Sequence, residues 1–144
     1  MKKTPKIDMY DPQIYPRRLY VAVEVEDLQE HFKVLSTDGK VEFTDEEAKV
    51  DFHGGNYAMV TRSVINKEDG KYGVLIQVPD LDEMQQSDIS HEAVHAADYI
   101  YQELGMYTED FKDGNEGYAY LVGWIAGCVS KSIIKAKQND NRRE

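Results

Sequence analysis

Hydrophobic positions recur along this chain with two different periods, and the change from one to the other divides it. In the first half apolar residues alternate with polar ones. Leu19, Val21, Val23 and Val25 interleave with Tyr20, Ala22, Glu24 and Glu26, which predicts a half-buried strand over 18–26. Two further β-rich runs, 57–65 and 72–78, flank Asn66-Lys67-Glu68-Asp69-Gly70-Lys71 and read as a hairpin. Between the first strand and this hairpin lie smaller signals. Asp27 caps a short helix over 27–33, Asp38-Gly39 turns the chain into a short strand over 41–43, and Thr44 with Glu47 forms a capping-box pattern.

In the second half the period lengthens to that of a helix. Ile89, Ala93, Ala96, Ala97, Ile100 and Leu104 make one apolar stripe on a helix over 87–104, with Ser87 as its cap. Tyr118, Leu121, Val122, Ile125, Ala126, Val129 and Ile133 make a broad apolar face on a second helix, from 116 to about 136. A small antiparallel or mixed sheet followed by two long helices is an α+β fold. At 144 residues the chain suits one domain, 1–144. Pro5, Pro12 and Pro16 make 1–16 an irregular arm, and 137–144 reads as a frayed tail.

The polar side of the first long helix carries the chemistry. His91-Glu92-Ala93-Val94-His95 places two histidines one turn apart, roughly opposite the apolar stripe, where they can bind one metal ion. A core histidine would point with the stripe. The competing reading is a solvated polar face, but half of the chain's four histidines fall within this pentad. Glu92 lies about 100° round the helix from His91, out of the ligand pair but within reach of a water on the metal. Two imidazoles and a third protein ligand hold zinc, water takes the open position, and a neighbouring carboxylate removes its proton as it attacks a carbonyl.

For the third ligand, Glu116 opens the second helix, twenty-one residues after His95. It shares a side of that helix with Tyr120, Gly123 and Gly127. Glycines four apart allow a neighbouring backbone to come close, so this side is expected to pack near the histidine helix and deliver Glu116 to the metal. The alternative is a first-turn acid favoured by the helix dipole. His53, in His53-Gly54-Gly55-Asn56, reads as an ordinary loop histidine rather than a further metal-site group.

His-Glu-x-x-His followed by Asn115-Glu116-Gly117-Tyr118-Ala119 resembles the gluzincin metallopeptidases, the class of thermolysin-like enzymes and zinc aminopeptidases. The resemblance covers about 87–127. It implies a zincin-like fold, Zn2+ as cofactor, His91, His95 and Glu116 as zinc ligands, and Glu92 as the general base. It also implies a peptide or protein substrate, held against an edge strand; strand 72–78 is the candidate by order along the chain.

The departures are informative. The helical domain of the larger enzymes, with its transition-state-stabilising Tyr or His, has no counterpart here. Tyr120 stands where thermolysin-like members carry an aspartate, and there is no Gly-Ala-Met-Glu-Asn segment. Small zincin-like proteins of bacteria, phages and mobile elements are closer in size. Tyr120 ranks ahead of Tyr107 and Tyr118 as a donor to a developing oxyanion, and is the second expected catalytic residue beside Glu92. Asp88 and Asp98, each three residues from a histidine, are either supports for the imidazoles or solvated surface charges.

Composition limits the rest. A net charge of −10 argues against nucleic acid and anionic membrane surfaces as partners. One cysteine forms no internal disulfide, no apolar stretch follows Lys2, Lys3 and Lys6, and no apolar run of membrane-spanning length is evident. A cytoplasmic protein is the resulting expectation. The leading function is therefore a zinc metallopeptidase, and the alternative a catalytically silent zincin-fold binding or regulatory protein.

Overall fold

The computed structural model describes residues 6–139. Five strands, β1 (Lys6–Tyr10), β2 (Arg18–Val23), β3 (Phe32–Val34), β4 (Val60–Asn66) and β5 (Tyr72–Val78), form one mixed sheet. Its order is β1-β2-β5-β4-β3, and only the β2–β5 pairing is parallel. The helices are α1 (Leu28–His31), α2 (Asp45–His53), α3 (Gln86–Glu103) and α4 (Glu116–Gln138). An α+β class with a mixed sheet is what the two hydrophobic periods predict.

Each face of the sheet is covered. Leu19, Val21, Val23, Val74, Ile76 and Val78 point to α3 and α4, against Ile89, Ala93, Ala97, Ile100, Ile125 and Val129. Tyr20, Ala22, Val64 and Leu75 point the other way, into a smaller core with Leu28, Phe32, Ala48 and Phe52. The second layer corrects the reading of β2 as half-buried: Leu19 to Val23 are all buried. The short α1 and α2 that cause this carry few apolar residues each, so their covering role is invisible in a local window.

Several segments depart from expectation. Residues 6–10 are not irregular arm but strand β1, paired antiparallel with β2 from Lys6↔Val23 to Tyr10↔Leu19. Pro12 and Pro16 punctuate the connection after it rather than dissolving it. Side chains anchor this strand to α4: Tyr10 Oη donates to Ser132 Oγ (2.7 Å), which donates to Asp8 Oδ2 (2.7 Å), while Lys135 Nζ reaches Asp8 Oδ1 (2.8 Å). Residues 1–5 of the expected arm, and 140–144 of the expected tail, lie outside the described residues; Lys137 and Gln138 continue α4. The expected helix over 27–33 stops at His31, because Phe32 and Val34 are both buried on the two-residue period of a strand. The expected strand over 41–43 is a single bridge, Leu35↔Glu42. The Thr44–Glu47 capping box is present.

Among the described residues, α4 is by length and composition apolar enough to cross a bilayer, which the expectation of no such run overlooked. In this fold its apolar side is used against the sheet and α3.

Candidate metal centre

α3 is shaped by the stripe of small side chains that lets it lie close to the sheet. Ala93, Ala96, Ala97 and Ile100 are fully buried and Ile89 nearly so. That seating turns the opposite side outward, leaving the His91 side chain 68% exposed and His95 exposed as well. The helix starts two residues earlier than Ser87 would set it, with Gln85 as N-cap and Asp88 Oδ2 accepting its backbone N–H at 2.8 Å.

The two imidazoles face each other. His91 Nε2 and His95 Nε2 are 3.1 Å apart, with ring planes at 78°. Two nitrogens each about 2.0–2.1 Å from a tetrahedral zinc stand about 3.3 Å apart, so this spacing suits one ion. The Glu92 carboxylate completes a group whose ligand atoms all lie within 4.8 Å of one another, Oε2 being 3.7 Å from His91 Nε2. The donor set, two imidazoles and a carboxylate, fits zinc better than the all-oxygen shells of calcium or magnesium.

Glu92 is held differently from the histidines. It is buried, and Thr61 Oγ1 on β4 donates to its Oε1 at 2.8 Å, with the Glu92 carbonyl oxygen 3.2 Å from the same hydroxyl. One oxygen is thus pinned to the sheet while the other is left on the histidine side. Sequence reasoning missed Thr61 because its partner is 31 residues away. The available signal was the alternation of hydroxyls, Thr61 and Ser63, on the face of β4 that meets α3. Ser63 there donates to Glu103, whose carboxylate also pairs with Arg17 Nε at 2.8 Å and fastens the far end of the same helix.

Glu116 is the first residue of α4, exposed, with its carboxylate lying over Gly114 and outside the His91–Glu92–His95 group. The expected packing of the glycine side against the histidine helix does not occur. A Cβ added at Gly123 or Gly127 would meet nothing within 4 Å. α4 buries Leu121, Ile125, Cys128, Val129 and Ile133, and this puts the glycine side on the outer surface. Tyr120, on that same side, is 76% exposed, and Tyr107 is almost entirely so.

The link between the two helices is Tyr118, whose hydroxyl donates to Asp98 Oδ1 at 2.5 Å and whose ring packs edge-on against Tyr101. Burial, and then the bond to Asp98, hold its phenol well above the ordinary tyrosine range. Asp98 is therefore committed to Tyr118, and Asp88 to the helix cap. His53 ends α2 and meets Gln29 Oε1 at 3.3 Å, apart from the His91–Glu92–His95 group.

Strand 72–78 is corrected as the peptide-holding edge, since β5 lies inside the sheet between β2 and β4. The stretch of β4 nearest Glu92 runs past the end of β3, with Thr61 and Arg62 in it buried. The pairing of β4 with β3 ends at Val64, Leu35 N–H donates to the Ser63 carbonyl oxygen, and among the described residues Val60 to Arg62 have no strand on that side.

Compared with known proteins, the chain matches no family model, no curated protein and no solved structure.

Proposed function

We propose that this chain is a zinc metallopeptidase of the gluzincin type. The observation that carries the reading is the tip-to-tip pair of His91 and His95 beside a carboxylate that Thr61 holds by one oxygen. His91 and His95 are two ligands in this reading, and Glu116 is the third. Zinc, when bound, polarises the substrate carbonyl and lowers the pKa of water to about 7.

The chain's own groups do the rest. Glu92 takes a proton from the attacking water through the oxygen that Thr61 leaves free, and passes it to the amine as the peptide C–N bond breaks. Thr61 stops the carboxylate from rotating away. The unpaired edge of β4 at Val60 to Arg62 offers backbone groups to an extended peptide.

The test is zinc per chain in protein purified without added metal or chelator, for wild type, His95→Ala and Glu116→Ala. One zinc in wild type, lost or sharply weakened in both variants, supports the three-ligand site. Retention in Glu116→Ala would remove Glu116 from it. Hydrolysis of a peptide library by wild type and not by Glu92→Gln would then establish the reaction.

A second reading is a zincin-fold binding or regulatory protein that keeps the metal without proteolysis. It is favoured by the exposed positions of Glu116 and Tyr120, which leave the histidine pair without an evident third ligand and without an evident oxyanion donor. A metal-loaded protein inert across the library would select this reading. A third, an accidental pentad on a structural module, predicts no stoichiometric metal.

A further inference from the structure

On the face of the sheet away from α3 and α4 lies a pocket of about 670 Å³, bounded by β1, β2, the α1–β3 junction and the β4–β5 turn. Its floor is Tyr20, which is 2% exposed. The phenol oxygen accepts two hydrogen bonds, from Arg18 Nη1 and from Asn66 Nδ2, each at 3.1 Å. The orientation of the Asn66 amide is fixed, because its oxygen takes the Glu68 backbone N–H at 2.8 Å. Neither neighbour can accept a proton as placed, since a guanidinium and an NH₂ group only donate. Among the described residues, then, the Tyr20 hydroxyl proton has no acceptor.

Arg18 is similarly half used. Its Nη1 also donates to Asp69 Oδ2, whose other oxygen takes Lys71 N–H, and this leaves Nε and Nη2 without partners among the described residues. At the mouth, Lys67 is spent on Asp45 and the Gln29 carbonyl, and His31 faces Asp27. Glu30 and Glu68 also line the pocket, and their carboxylates have no partner among the described residues. The remaining wall is apolar: Ile7, Met9 and Phe32.

The floor is also rigid. A Cβ on Gly73 would come within 2.8 Å of the Tyr20 ring and 2.7 Å of the Arg18 carbonyl oxygen, so glycine there makes room for the ring. Phe32 braces it edge-on at 4.9 Å. Unused donors held at the bottom, unused acids at the rim and an apolar wall complement a molecule with a negative end, a positive end and a hydrophobic body.

We propose that this pocket binds a zwitterionic α-amino acid with an apolar side chain. Its carboxylate takes the Tyr20 O–H and the free Arg18 N–H groups, its ammonium faces Glu30 and Glu68, and its side chain lies on Ile7, Met9 and Phe32. The site is on the opposite face of the sheet from His91 and His95 and does not depend on their binding metal.

The test is titration of isotope-labelled full-length chain carrying His91→Ala and His95→Ala, so that no amino acid can chelate a metal there. The probe is L-phenylalanine, followed by amide shifts. Saturable shifts at Tyr20, Asn66 and Gly73 are expected, with affinity at least tenfold above that of 3-phenylpropionate or phenethylamine, each of which lacks one charge. Tyr20→Phe removes the donated proton together with the oxygen that holds Arg18 and Asn66, and is expected to weaken binding at least about tenfold. Glu68→Gln, at the exposed rim, leaves the buried knot intact and is expected to weaken it as well. Absence of saturable shifts at these residues, equal binding of either single-charge analogue, or unchanged affinity in both variants would overturn the proposal.

Discussion

Thr61 and Glu92 show how much a single hydroxyl can decide. A glutamate side chain has three rotatable bonds, and a base that wanders is a poor one. Here the buried hydroxyl takes one oxygen and leaves the other toward His91. In the metallopeptidase reading, Glu92→Gln keeps zinc and lowers turnover by roughly a hundredfold to ten-thousandfold, read as zinc per chain beside the hydrolysis rate. Thr61→Val, nearly the same shape without the donor, is expected to lower turnover roughly tenfold at unchanged zinc content, and Thr61→Ser to restore it. A valine variant as active as wild type would leave the hydroxyl a purely structural tie. His91 and His95 could be assigned to a polar face from spacing alone, because four residues are close to one helical turn. Thr61 could not, since only the tertiary fold brings it against Glu92.

Between elements, the seam of α3 and α4 is closed by aromatic rings and one polar bond. Tyr118 reaches Asp98 across it, so Tyr118→Phe should cost about 1 kcal/mol in denaturant unfolding while leaving zinc content unchanged. Tyr99, Tyr101 and Tyr118 all have their phenols raised, in each case chiefly by burial. A raised value in the folded state means that the fold favours the protonated phenol. The stability this contributes is fully present below the unfolded value of about 10 and is lost as pH rises through the higher folded values. Denaturation midpoints should therefore fall on the alkaline side of about pH 10, with phenolate absorbance rising as the helices melt. Complete phenolate formation near pH 10 with the helical signal intact would contradict this. α2 responds on the opposite side: Asp45 and Glu47 are lowered, Asp45 chiefly by Lys67 and Glu47 by the Thr44 backbone N–H. Their contribution is present above the ordinary carboxylate range and is lost as pH falls through the lowered values.

For the whole molecule, the larger core joins β2, β5, α3 and α4 through fully buried residues such as Ile76, Ala97 and Ile125. Ile125→Ala removes packing from all of these at once and should cost about 2–5 kcal/mol, with sheet and helix signals lost in one transition. An early, separate loss of helix would show that α4 folds on its own account. Arg62 performs the corresponding task in the smaller core. It is 6% exposed, pairs with Asp51, donates to Gln77 Oε1 (2.5 Å) and Tyr57 Oη (2.6 Å), and stacks on Phe52. The chain-end of α2 is thereby fastened to the sheet by a cation whose partners come from three separate stretches of sequence.

Local spacing was enough for several features of this protein. The limits of β5, the capping box of α2, the stripe of α3 and the outward histidines all follow from periods of two or 3.6 residues and from side chains that bond within one turn. Contacts between distant segments were not readable in that way. The burial of β2 on both faces depends on α1 and α2, and the interior place of β5 depends on a parallel pairing with β2 across some fifty residues of chain. The outward turn of Gly123 and Gly127 depends on which side of α4 gains more by burial. In each case the same local pattern is compatible with two arrangements, and the apolar area buried between elements selects one. Residue types and their spacing determined that two histidines one turn apart share an outward face; the tertiary structure decided that Glu92, gripped by Thr61, stands beside that pair while Glu116 and Tyr120 face solvent.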